Sequence, residues 1–115
     1  MAALQLFGRK KDRETQRGER WLKERRFDFH FIDVDQKPPS PGELDGMARA
    51  AGGHQALIDA GSAEFKTGGW AHRTFDAREE LLEHPALLKV PILRSAPRAF
   101  VGFDEAGWKA FVGAK

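Results

Sequence analysis

The opening 34 residues restrict the fold more than any other stretch of the chain. Leu4-Gln5-Leu6-Phe7 alternates and stops at Gly8, which reads as a short first strand. A long polar stretch follows, with Trp21, Leu22 and Phe27 as its apolar marks. Asp12 stands ahead of it, where its carboxylate can accept from the free amides of a first helical turn. The stretch therefore predicts a helix from about Arg13 to Arg26. Asp28 through Val34 then carries Phe29, Phe31, Ile32 and Val34 as a second strand. Strand, helix and strand in so short a span imply two parallel strands joined by a right-handed crossover.

Beyond Val34 the punctuation is local. Pro38-Pro39-Ser40-Pro41 ends one element and starts the next. Ser40 and Glu43 have capping-box spacing, and Pro41 falls on the first helical position, where a missing N–H costs nothing. Leu44, Met47 and Ala48 mark the buried stripe of this helix up to Gly52-Gly53. His54 to Ala60 predicts one more short helix, whereas Gly61 to Trp70 has no clear period and reads as an irregular surface segment. Asp76 and Glu79 form an acidic cap ahead of Leu81 and Leu82, and that helix ends at His84-Pro85. Pro91-Ile92-Leu93 and Ala99-Phe100-Val101-Gly102-Phe103 read as strands joined by a turn at Ser95-Ala96-Pro97-Arg98. Asp104 caps a last helix carrying Trp108, Phe111 and Val112. Together these predict a single α/β domain over residues 1–115. A mixed four-stranded sheet is flanked by helices on both faces, with a helical insertion between the second and third strands.

Composition removes whole classes of function. There is no cysteine among the 115 residues, so disulfides, thiolate metal sites and thiol nucleophiles are excluded together. No apolar run approaches the 18 or so residues that span a bilayer, so no membrane partner is expected. The apolar start Met1-Ala2-Ala3-Leu4 runs into charge at Arg9 without the order of a secretory leader, so the expected compartment is the cytoplasm. His30, His54, His72 and His84 are scattered without ligand spacing, so no metal site is predicted, and no cofactor. Charge is uneven: residues 1–30 hold nine Lys/Arg against five acids, while the whole chain is only +2. Such a lobe can steer toward an acidic partner, or it is the solvated face of one helix with its signs paired at i,i+4.

The residues so far read match a known family. Leu6-Phe7-Gly8, Trp21-Leu22, and Phe29-His30-Phe31-Ile32-Asp33 carry the match. So do Leu57-Ile58-Asp59 before Gly61-Ser62, and most specifically Glu83-His84-Pro85-Ala86-Leu87-Leu88-Lys89-Val90-Pro91-Ile92-Leu93 followed by Phe100-Val101-Gly102-Phe103. Over nearly all of Leu4 to Val112 the chain resembles glutaredoxin-coupled arsenate reductases (ArsC) and their Spx-like regulators. The resemblance implies a thioredoxin-like fold with a cis Val90–Pro91 bond. It also locates the departures. Asp12 falls where the family has its nucleophilic cysteine, and Thr15 where the Spx-like proteins have a second one. Val90 stands at the arginine before the proline, and Ala60 at the arginine of the central segment.

These departures bear on chemistry. The helix tip that would lower a cysteine pKa and hold an oxyanion instead receives a fixed carboxylate. Asp12 as cap gains on the order of 1 kcal/mol of stability and repels arsenate or phosphate. Aspartyl-phosphate chemistry would need a metal or cationic clamp, for which only Arg9, Lys10 and Lys11 are at hand. The candidate pocket is therefore Arg9, Lys10, Lys11, Asp12, Thr15 and Pro91, and the candidate partner surface Arg13, Arg17 and Arg20. The leading expectation is a non-catalytic binding or regulatory module; by Spx resemblance, its partner would be RNA polymerase. The alternatives are a glutathione-linked reductase and a basic-lobe binder of a small anion or of nucleic acid. The missing aromatic interleaving weighs against nucleic acid. Trp70, between glycines and His72, belongs either to the packed core or to a loop near the pocket rim.

Overall fold

The computed structural model describes residues 4–113. The apolar start at Met1–Ala3 lies outside the described residues. The strand–helix–strand unit forms as its pattern requires: β1 (Leu4–Gly8), α1 (Arg13–Glu24) and β2 (Phe29–Asp33), with β1 and β2 parallel. The insertion holds α2 (Pro41–Ala51), a 3-10 turn at His54–Leu57, α3 (Ala63–Thr67), a 3-10 turn at Trp70–His72, α4 (Ala77–Glu83) and a 3-10 turn at Pro85–Leu87. The hairpin β3 (Ile92–Ser95) and β4 (Arg98–Val101) and the helix α5 (Glu105–Phe111) complete the chain. β3 runs antiparallel to β1, giving a mixed sheet of order β2-β1-β3-β4.

Strand alternation divides the apolar residues between two cores. Leu6 and Leu93 face Trp21 and Leu22 of α1 and Trp108 and Phe111 of α5, with Phe29, Phe31 and Phe100 against them. Phe7, Ile32 and Ile92 face the opposite way, onto Leu44, Met47 and Ala48 of α2 and the rest of the insertion. Helices thus cover both faces. On the first face Trp108 is fully buried, its indole N–H donating to Gly102 O at 2.8 Å and its ring meeting Trp21 edge-on. Gly18 is what lets α1 lie that close, since a Cβ there would sit 2.5 Å from the Trp108 ring.

Helix starts follow local chemistry. Asp12, Ser40, Asp76 and Asp104 each accept from the amide three residues on, and Ser40 with Glu43 makes a complete capping box. The first helix stops two residues short of the expected Arg26, because Arg26 itself takes a positive φ of 58°. The segment read as irregular surface differs more. Ser62 caps α3, whose Phe65 is buried, and Trp70 is only 4% exposed, packed against Phe75 and His84. Trp70 therefore belongs to the core and not to a loop at the pocket rim; its partners come from later in the chain. The Val90–Pro91 peptide is cis, as is Ala96–Pro97.

Candidate functional site

The candidate pocket expected from the resemblance lies at the end of β1, the tip of α1 and the approach to β3. Gly8 closes β1 and lies against Thr15, whose side chain would collide with any Cβ at that position. Thr15 is fully buried. Its amide donates to Asp12 Oδ2 at 2.8 Å and its hydroxyl to the same oxygen at 2.9 Å. The Arg9 amide donates to Thr15 Oγ1 at 3.3 Å, and the Asp12 amide to Arg9 O at 3.0 Å. The loop is folded back on the helix tip, where the Asp12 carboxylate takes up the Thr15 amide.

The Arg9 guanidinium is committed as well. Nη2 donates to Pro85 O at 2.7 Å, Nη1 to Leu88 O at 2.9 Å, and Nε to Asp35 Oδ1 at 3.0 Å. With 18% of its side chain exposed, Arg9 acts as a three-way tie between β1, the turn after β2 and the segment before β3. That segment is fastened a second time, by Asp59 N to Leu87 O at 2.8 Å and Lys89 N to Leu57 O at 2.7 Å.

Of the six pocket residues expected, Arg9, Asp12 and Thr15 form one bonded group. Lys10 is exposed and lines a separate hollow beside β2 with His30, Phe31, Asp33 and Lys37. Lys11 is exposed. Pro91 is buried, and its carbonyl accepts from Gly102 N at 2.7 Å. Val90 packs against the core on the insertion side, and Ala60 is exposed in a turn where Asp59 Oδ1 accepts from Gly61 N. On α1, Arg13 and Arg20 are exposed, while Arg17 pairs with Glu14 at 3.1 Å and lies over Phe103.

Sequence reasoning missed a second polar cluster. Asp45 of α2 accepts from Arg78 Nε at 2.8 Å, from Arg78 Nη2 at 3.2 Å and from His54 Nε2 at 2.8 Å. The Arg78 and His54 hydrogen bonds hold the Asp45 carboxyl at about 2, against an ordinary 3.8. No local spacing signals it, since Asp45 meets His54 nine residues on and Arg78 thirty-three residues on. Glu80, Glu83 and His84 also approach one another at the C-terminal end of α4, and all are at least partly exposed.

No protein-family model matches the chain, and no curated protein matches it by sequence. Solved structures do. A possible arsenate reductase from Streptococcus mutans superposes with TM-score 0.81 at 18% identity, covering 96% of this chain and 99% of that one. An arsenate reductase (ArsC) related protein from Brucella melitensis gives 0.71 at 21%, covering 98% and 96%. The arsenate reductase from Vibrio cholerae gives 0.72 at 17%, covering 84% and 86%. No helix among the described residues is long and apolar enough to cross a membrane. This chain has the thioredoxin-like fold of the ArsC-type arsenate reductase structures, and has it without a cysteine.

Proposed function

We propose that the protein is a non-catalytic binding or regulatory module of the cytoplasm, built on the arsenate reductase scaffold with its reactive site retired. In this reading Asp12 stands at the position of the family's cysteine and Thr15 at that of the second one. Val90 and Ala60 stand where the arginines would be. The observation that carries the reading is the bonded group at the α1 tip. Asp12 takes both the amide and the hydroxyl of Thr15, and Arg9 is consumed by Asp35 and two carbonyls. A carboxylate at this tip supplies no thiol adduct and repels an incoming oxyanion.

The test is direct. Purified protein given arsenate with glutathione and glutaredoxin should turn over no faster than a protein-free control; turnover above that control overturns the reading. For the partner, the exposed basic residues Arg13, Arg17 and Arg20 are the surface to reverse, and RNA polymerase is the first bait, on the resemblance to Spx-like regulators. Capture that survives reversal of all three to Glu would remove α1 as the contact.

A further inference from the structure

The C-terminal ends of α1 and α5 border a surface notch of about 200 Å³, with Trp21, Phe27 and Val112 as its floor and the exposed Arg25 and Lys109 as its rim. Trp21 and Phe27 stack with ring centroids 6.0 Å apart, and the Arg25 guanidinium lies over the Trp21 ring at 4.4 Å. The notch is smaller than the roughly 300–1,000 Å³ of a small-molecule site and suits one bulky side chain. Its lining side chains are either apolar or hydrogen-bond donors, with no acceptor among them. Two indole N–H groups have no partner among the described residues. That of Trp70 is shut inside the insertion core, whereas Trp21, itself only 5% exposed, lines the notch.

The charge around the notch favours an anion. Glu24, which precedes Arg25, and Glu105, one turn before Lys109, line the adjoining hollow with Arg17 and Arg20. Lys23 is paired with Glu19 at 3.3 Å. Arg25, Arg26 and Lys109 have no carboxylate within 4.0 Å among the described residues. The surplus survives a full count: residues 13–28 and 98–113 hold eight Lys/Arg against six Asp/Glu, with Asp28 and Asp104 included. A cation at the end of each helix answers the helix dipole. The dipole does not explain why aromatic rings are left at the surface between those cations.

We infer that this notch docks an acidic segment of a protein partner. One bulky apolar side chain seats against Trp21 and Phe27, and flanking carboxylates meet Arg25 and Lys109. The inference gives the binding-module reading a partner chemistry and fails separately from it, because arsenate turnover would sink that reading and leave this contact untouched. The test is a titration of the full-length protein with the blocked peptide Asp-Glu-Phe-Glu-Asp at constant ionic strength, following the Trp21 indole N–H by NMR. The expected result is saturable movement of that peak together with the Phe27 and Val112 amides. Replacing the central phenylalanine of the peptide by alanine should weaken binding by about tenfold or more. Lys109→Gln should weaken it about three- to fivefold, with the amide spectrum of the free protein otherwise unchanged, so a folding defect cannot mimic the loss. A Trp21 peak that stays still would overturn the inference. So would equal binding by the alanine peptide or by Lys-Lys-Phe-Lys-Lys. Movement of the same peaks on raising the protein concentration alone would assign the notch to a second copy of the chain and overturn it too.

Discussion

Asp12 and Asp45 are both partly buried carboxylates with basic neighbours, yet their surroundings use them oppositely. Asp12 is consumed by its own helix, both bonds coming from Thr15, and the nearby Arg9 is saturated by Asp35, Pro85 O and Leu88 O. At the α1 tip Asp12 and Arg9 are both taken up by bonds within the fold, and the cations beside them, Lys10 and Lys11, are exposed. Asp45 instead reaches across to α4 and the 54–57 turn, holding Arg78 and His54 at once. A carboxylate bound locally starts one helix; a carboxylate bound across elements fastens those elements to each other.

The contrast can be broken most forcefully at Arg9. Arg9→Leu strands the carbonyls of Pro85 and Leu88 without donors and should cost about 2–3 kcal/mol in urea unfolding. A loss below about 0.5 kcal/mol would mean the tie is not structural. Asp12→Ala removes the cap and the Thr15 hydroxyl's acceptor. It should cost about 1 kcal/mol, measured the same way, and should create no arsenate reduction.

Asp45 sharpens the other half. Its folded pKa, about 2, lies below the ordinary 3.8, so ionised Asp45 stabilises the fold above pH 4. That contribution disappears as pH falls from about 4 to about 2. The stability difference between wild type and Asp45→Asn, followed by denaturant midpoints across that window, should therefore shrink toward zero at the acid end. A difference independent of pH would refute the ion-pair account. The smallest effect belongs to the α1 face. Arg20→Glu, at an exposed position whose side chain makes no hydrogen bond among the described residues, should shift stability by no more than about 0.5 kcal/mol. This leaves any loss of partner capture readable as a surface effect.

Features depending on neighbours three or four residues apart were legible in the sequence. Asp12, Ser40 with Glu43, Asp76 and Asp104 all cap where their spacing says, because a cap is a bond within one helical turn. Ser62 was the overlooked signal of the same kind: its hydroxyl accepts from Phe65 N and starts α3 in the stretch read as irregular. Trp70 was not decidable locally, since Phe75 and His84 bury it and neither is set by its flanking glycines.

By itself the sequence determined the parallel β1–α1–β2 unit, the hairpin with its closing helix, and the absence of any thiol. Periodicity and composition suffice for these, because each is fixed by residues near one another or by a residue type that is missing. Tertiary structure alone decided where the charges end. Arg9 meets acceptors 76 and 79 residues away and Arg78 meets Asp45 across 33. Which arginine is spent and which is left over is a matter of distance in space, and a one-dimensional pattern does not record that.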